Sequence, residues 1–111
     1  MTTQQVDVTT IEPISIKNIY VPTTGSSILL NQARNQRVLL NPAGSLLSLT
    51  ITFPDAPVDG DIIVISSSQA ITTLTINGNG KTVNSALASL SLGGFGRWCF
   101  DSSVNIWFRI G

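Results

Sequence analysis

The feature that most constrains this fold is a two-residue alternation of apolar and hydroxyl side chains in several short segments. Successive side chains of a strand point to opposite faces, so such a segment predicts a half-buried β-strand. LLSLTITF is the clearest example, with Leu47, Leu49, Ile51 and Phe53 predicted on one face and Ser48, Thr50 and Thr52 on the other. No long helical period is present; SSILLNQARNQRVLL is broken by polar pairs and indicates a strand, a loop and another strand.

Frequent turn signals divide the chain into about eight such strands. FPDAPVDGD ends the first clear strand, IIVIS is apolar on both faces and predicts a central strand, and ITTLTI at 71–76 follows. NGNG is typical of a type I′ turn and predicts a hairpin to a short strand around Lys81 to Val83. SALASLSL leaves two predictions open, a short helical turn or a strand with Ala86, Ala88, Leu90 and Leu92 facing inward.

The pattern predicts an all-β domain, a compact antiparallel β-sandwich, a jelly-roll-like fold or a small barrel. We divide the chain into an extended N-terminal arm at 1–18 and a single β-domain at 19–111. The arm starts with a polar segment rich in Thr and Gln, which we expect to be loosely ordered until it docks. Its apolar residues are the candidate contacts with a partner: Val6, Val8, Ile11, Ile14 and Ile16.

The end of the chain concentrates bulky side chains in a predicted hairpin, RWCF, a turn at DSSVN, and IWFRI. Trp98 and Phe100 would share one face, and Trp107 would share a face with Arg109. The other face of the last strand would carry Ile106, Phe108 and Ile110. A hairpin that is apolar on both faces needs two apolar partners, which we expect to be the domain's own second sheet and another subunit.

The two arginines of this hairpin complete the candidate interface residues. Arg97 and Arg109 could face each other or Asp101 across the hairpin as a structural pair, which we favour, or form a salt bridge between subunits. The predicted core hairpin and subunit interface therefore comprises Arg97, Trp98, Phe100, Trp107, Phe108 and Arg109.

Composition also predicts a surface that neighbours cover. Only 11% of residues are charged, six acids balance six bases, and the mean hydropathy is +0.31, so electrostatic repulsion between copies is weak. The bases are scattered in sequence, which argues against nucleic acid as a partner. No apolar run reaches the ~20 residues of a membrane helix, and the N-terminus lacks a signal-peptide pattern.

Residue types required by common catalytic sites are missing. Histidine is absent, which excludes Ser-His-Asp and Cys-His arrangements, and we interpret Cys99 as a packed structural thiol. Asp55, Asp59 and Asp61 in DAPVDGD could bind Ca²⁺, but their spacing favours turn-forming carboxylates. We therefore expect no enzymatic activity, no metal, no cofactor and no small-molecule substrate.

Two stretches carry a resemblance to a known class of proteins. RVLLNPAGSLLSLTITFPDAPVDGDIIVISSSQAITTLTINGNGKTV and SLSLGGFGRWCFDSSVNIWFRIG, between Arg37 and Gly111, together resemble a small β-module of tailed-bacteriophage virion surface proteins. The resemblance rests on an NPAG turn, a Leu-Thr-Ile strand, a DGD turn, an AITTLTI strand and a terminal hairpin containing tryptophan.

This resemblance implies a β-domain that forms homotrimers, either as a head decoration (cement) protein or as a module of tail fibres and spikes. A chain that starts at Met1 and stops after the terminal strand fits the decoration protein better. The implied role is to bridge subunits of the major capsid protein on the virion surface after synthesis in the host cytoplasm. The alternatives are a tail module or adaptor that binds a host receptor, and a small intracellular β-protein unrelated to viruses.

Overall fold

The computed structural model describes residues 15–111, which contain nine strands and no helix. Residues 15–111 therefore offer no helix with the length and apolarity that a membrane crossing requires. The strands are β1 (Ser15–Tyr20), β2 (Ser26–Leu29), β3 (Asn35–Leu40), β4 (Leu46–Thr52), β5 (Ile62–Ser67), β6 (Ile71–Asn77), β7 (Thr82–Val83), β8 (Phe95–Asp101) and β9 (Ile106–Arg109). The all-β prediction is confirmed.

The first six strands wind as a short solenoid, because consecutive strands alternate between two sheets. A six-stranded sheet has the order β1-β3-β5-β8-β9-β7, and a three-stranded sheet has the order β2-β4-β6. Ser15 pairs with Asn35 and Asn35 pairs with Ile62, while in the other sheet Ser26 pairs with Leu49 and Leu49 with Leu74. Each turn of the chain therefore adds one parallel strand to each sheet.

The C-terminal strands close one end of this solenoid. β8 runs antiparallel to β5 and to β9, and the short β7 pairs in parallel with β9. The chain between β7 and β8 lines the outer edge of β6, where the amide of Leu74 donates to the carbonyl of Ala88 and Ile71 bridges Leu90. At the opposite end, β1 and β2 are the terminal strands of their sheets within the described part of the chain.

The core fills the space between the two sheets. Burying each large apolar side chain contributes roughly 1.5–3 kcal/mol, and the C-terminal hairpin adds three aromatic rings to the aliphatic residues of the solenoid. The fully buried apolar residues are Val38, Ile51, Phe53, Ile63, Ile65, Ile71, Trp98 and Trp107, each 0% exposed.

The strand arrangement differs from the predicted antiparallel sandwich, jelly roll or barrel. Five of the seven strand pairings in residues 15–111 are parallel, and the two sheets have a solenoid-like topology. An alternating strand reports only that one face is buried. In a solenoid, a parallel strand also buries only one face, because its connection passes through the other sheet and no helix is needed. Alternation therefore does not distinguish a parallel solenoid from an antiparallel sandwich.

Two local predictions between β6 and β8 were wrong. Asn79 and Gly80 have φ angles of 54° and 92°, as a type I′ turn requires, but β7 pairs with β9 and not with β6, so NGNG makes no hairpin. SALASLSL is neither strand nor helical turn: only Leu90 is buried, and Leu92 is 72% exposed. The conformation of SALASLSL is set by hydrogen bonds between its backbone and the edge of β6. A pattern of side chains does not predict such backbone pairing.

The predicted faces of β4 are correct except at its start. Leu49, Ile51 and Phe53 are buried, whereas Leu47 is 71% exposed and Leu46 takes the inward position. In the arm, β1 begins at Ser15, so residues 15–18 pair with β3 in the sheet. Of the predicted arm contacts, Ile16 is half-buried in β1, whereas Val6, Val8, Ile11 and Ile14 lie outside the described residues.

Candidate interaction surface

The inner side of the C-terminal hairpin is an aromatic cluster built around Phe53. The Phe53 ring lies edge-on to Trp98 and Trp107, with centroids 5.7 and 5.1 Å apart, and Phe100 lies 5.1 Å from Trp107. Edge-to-face packing of this kind adds about 0.5–1.5 kcal/mol per pair beyond the area buried. The Trp98 indole N–H donates to the carbonyl of Asn84 at 3.0 Å. Trp98, Phe100 and Trp107 therefore belong to the protomer's core.

The outward side of the same hairpin carries apolar side chains that nothing in the described protomer covers. Phe95, Phe108 and Ile110 are 59%, 39% and 44% exposed. They lie on the side of the six-stranded sheet that points away from the core, which we call the outer face. Together with Ile19, 59% exposed, and the half-buried Val64, they make this face apolar over several strands. Exposed apolar side chains that recur on neighbouring strands of one face are typical of an interaction site.

The two hairpin arginines have different surroundings, and the predicted pairing between them or with Asp101 is wrong. Arg109 places its guanidinium 5.3 Å from the centroid of the Trp98 ring and donates through Nη1 to the carbonyl of Ser85. Arg97 lies exposed on the outer face. Asp101 instead accepts hydrogen bonds from the hydroxyl and amide of Ser103, which lower the pKa of its carboxyl.

Three bases that are far apart in sequence form one row across the outer face. Lys17 pairs in register with Arg37, Arg37 with Val64, and Val64 with Arg97. We call Lys17, Arg37 and Arg97 the cationic row. The bases are scattered in the sequence, which does not predict the row, because the register that aligns them depends on pairing between strands of successive turns. The only ion pair that residues 15–111 form is a different one, Arg34 with Asp61 at 2.8 Å.

A shallow pocket of ≈ 420 Å³ opens in the middle of the cationic row. Arg37 and Arg97 stand on either side of Val64, and the rest of the lining is Asn35, Ile62, Gly111 and the exposed ring of Phe95. The pocket therefore combines two guanidinium groups with apolar and aromatic surface. Guanidinium groups favour carboxylate and phosphate oxygens, which they can bind in bidentate fashion.

The outward side of the three-stranded sheet has a different chemistry. Ser27, Thr50 and Thr75 align in register across β2, β4 and β6, and their hydroxyl groups can bond to water. This sheet also exposes two large apolar side chains, Leu29 and Leu47, but no charged ones. The outer face of the six-stranded sheet, which exposes aromatic rings and bases together, is the better candidate for a binding surface.

The aspartates of DAPVDGD serve as local structure in the loop before β5. Asp61 accepts from the Arg34 guanidinium and the Val58 amide, each at 2.8 Å, and Asp59 accepts from the Ser102 amide at 2.9 Å. Within residues 15–111, no group of three potential metal ligands comes together. Burial, with smaller contributions from Asp59, Asp101 and Asp61, raises the pKa of the Cys99 thiol, which disfavours the nucleophilic thiolate.

Comparison with known proteins supplies a fold and no family. No protein-family model matches the chain, and no curated protein matches it. The fold is similar to part of a solved structure described as "Structure of a chaperone-substrate complex", with a TM-score of 0.57 and 20% sequence identity. The similarity covers 84% of this chain and 16% of that chain, so this fold recurs as a small part of a longer polypeptide. Fold and surface together define a small β-solenoid with one closed end and one apolar, basic outer face.

Proposed function

We propose that this protein is a decoration (cement) protein of a tailed-phage head, which forms homotrimers on the capsid surface and bridges subunits of the major capsid protein. The observation that carries the proposal is the outward apolar side of the C-terminal hairpin, with Phe95, Phe108 and Ile110 exposed although the inner side already completes a core. A protein with 11% charged residues and no net charge has little repulsion to keep such surfaces apart. The β9 end of the outward side, with Phe108 and the following Ile110, is therefore the proposed subunit interface.

The proposed contact with the shell starts at the other end of the same sheet. β1 is the terminal strand of the six-stranded sheet in the described part of the chain, and the arm at 1–14 leads directly into it. An edge strand offers unpaired backbone groups to which a partner strand can add. Trimerisation multiplies such weak contacts through avidity, and the mechanism requires no cofactor, metal or small-molecule substrate.

A tail fibre, spike or adaptor module that binds a host receptor is the second candidate. The observation that favours it is the fold similarity to 16% of a longer chain, which supports a fold that serves as one piece of a larger protein. In that function the loops DAPVDGD and NGNGK, in which Asp59 and Gly80 are exposed, would contact the receptor. Both candidates place the protein on the virion after synthesis in the host cytoplasm.

The test is co-sedimentation of the purified protein with mature capsids that lack their decoration protein, and with host cells. We expect the full-length protein to sediment with capsids and to behave as a trimer in analytical ultracentrifugation. A variant lacking 1–14 keeps every described strand and should remain folded, but it should lose most capsid binding. Binding to cells without binding to capsids would replace the first candidate by the second, and a folded monomer at micromolar concentration would contradict the trimer.

A further inference from the structure

The cationic row is electrostatically unfavourable in the isolated protomer. Lys17 and Arg37 lie directly opposite each other on neighbouring strands, and like charges in that position destabilise a sheet. None of the three bases of the row forms an ion pair with the carboxylates of residues 15–111. Arg37 makes one long hydrogen bond, 3.4 Å to the hydroxyl of Ser15. A partner that supplies negative charge would remove this repulsion.

Apolar residues flank the cationic row on both sides. One neighbouring row contains Ile19, Leu39 and Phe95, and the other contains Ile62. Any partner large enough to cover these rows would also exclude water from the bases between them. Buried charges need oppositely charged partners, because an unpaired charge loses its hydration without compensation. The partner must therefore combine apolar side chains with carboxylates.

We propose that the outer face docks an acidic, extended segment of a partner protein in which carboxylates and apolar side chains alternate at every second residue, so that both point to the same face. The inference rests on the proposed function insofar as that partner is the capsid shell. Strands lie about 4.8 Å apart, so the cationic row spans about 14 Å from Lys17 to Arg97. Carboxylates four residues apart on an extended segment are separated by about 13 Å. Two such groups can reach the two ends of the row, while Val64 and Phe95 contact the apolar residues between them.

The described part of a second copy fits the row poorly. Of the four aspartates in residues 15–111, three already have partners, since Asp61 pairs with Arg34, Asp59 bonds to Ser102 and Asp101 bonds to Ser103. Nucleic acid also fits poorly, because a phosphate backbone would leave the flanking apolar rows without contacts and such binders usually carry a large positive charge. An acidic protein segment satisfies both the bases and the apolar rows.

The experiment measures fluorescence anisotropy of three labelled probes with the full chain at about 50 and 500 mM salt. The probes are a Glu-Val peptide of about ten residues, in which Glu and Val alternate at every second position with Ser between them so that both share one face, the matched Gln-Val peptide, and a single-stranded oligonucleotide. We expect binding of the Glu-Val peptide that weakens at high salt and is absent for the other two. The double variant Arg37→Gln/Arg97→Gln should lose at least about tenfold in affinity.

Lys81→Gln is the control for loss of positive charge outside the row, because it removes one positive charge, against two in the double variant, from a loop where Lys81 donates to the backbone carbonyl of Asp55. It should bind the Glu-Val peptide like the unmodified protein. Unchanged peptide binding by the double variant, or equal binding of the oligonucleotide, would overturn the inference. Circular dichroism of each variant checks that it remains folded; both arginines are exposed, so we expect no loss of structure.

Capsid co-sedimentation of the same double variant separates this inference from the proposed function. If the unmodified protein binds capsids and the double variant binds equally well, the docking face is wrong and the decoration function stands. If the unmodified protein fails to bind capsids yet selects the Glu-Val peptide, the decoration function is wrong and the acidic-segment site stands. If the unmodified protein binds capsids and the double variant does not, the result supports both the docking face and the decoration function.

Discussion

The inner and outer sides of the C-terminal hairpin have similar apolar composition and different surroundings. Trp107 and Phe108 are consecutive residues of β9, yet Trp107 is fully buried and Phe108 is 39% exposed. Trp107 meets the rings of Phe53 and Phe100 across the space between the sheets, whereas no second layer covers Phe108 in the described protomer. A strand that is apolar on both faces thus packs one face in the core and leaves the other uncovered in the isolated protomer. Substitutions on the two sides should therefore have different effects.

The largest effect is expected on the inner side, for Trp107→Ala. Removing a fully buried indole leaves a cavity beside Phe53 and Phe100, and truncations of this kind cost about 3–5 kcal/mol. Its indole N–H is buried without a hydrogen-bond partner, so the loss is one of packing alone. Urea unfolding followed through the fluorescence of Trp98 measures it. A loss below about 1 kcal/mol would mean that the inner cluster is not the core of the protomer.

A smaller effect on the same side is expected for Gly96→Ala. A Cβ at position 96 would lie 2.7 Å from the Trp98 ring and 2.8 Å from Leu87 Cδ1, so the tryptophan must shift. Overpacking of this kind typically costs about 1–3 kcal/mol, and the Trp98 emission should change with it.

Gly44→Ala is the matched control for this substitution, because nothing lies within 4 Å of a Cβ there. We expect its free energy of unfolding to stay within about 0.5 kcal/mol of the original. If both variants lose the same free energy of unfolding, the close approach of Gly96 to Trp98 is not the reason that position 96 requires glycine.

The sequence predicts this hairpin better than it predicts the rest of the fold. The faces of Trp98, Phe100 and Trp107 follow from the two-residue period alone, since an antiparallel pair with a short turn is a local structure. Pairing between solenoid turns is not local. The register of Ser15 with Asn35 depends on the length of the connection through the other sheet, which no short motif encodes.

Non-local pairing between solenoid turns also explains why the sequence did not predict the cationic row. Lys17, Arg37 and Arg97 become neighbours only through three successive strand pairings. A comparison of segments one solenoid turn apart would align SIKNIY with NQRVLL and place Lys17 beside Arg37. The three bases are visible in the sequence, but the strand topology is needed to predict that they lie side by side.

The smallest effect on stability, and the sharpest test of the comparison, is expected on the outer side for Phe108→Ser. Because the ring is already 39% exposed and only its own sheet supports it, we expect the protomer to lose about 1 kcal/mol. Self-association should fall much more, because the proposed subunit interface loses an aromatic side chain of the kind that dominates interface energetics. Sedimentation velocity over a concentration series measures that loss.

Val104→Ser is the control for this variant, since Val104 is 53% exposed in the turn between β8 and β9 and lies outside the proposed interface. It should leave both stability and assembly unchanged. If Phe108→Ser instead destabilises the protomer as strongly as Trp107→Ala and assembles normally, the outer side is part of the fold and not an interface. The two faces of β9 would then differ in exposure without differing in function, and the outward apolar side would no longer support a trimer.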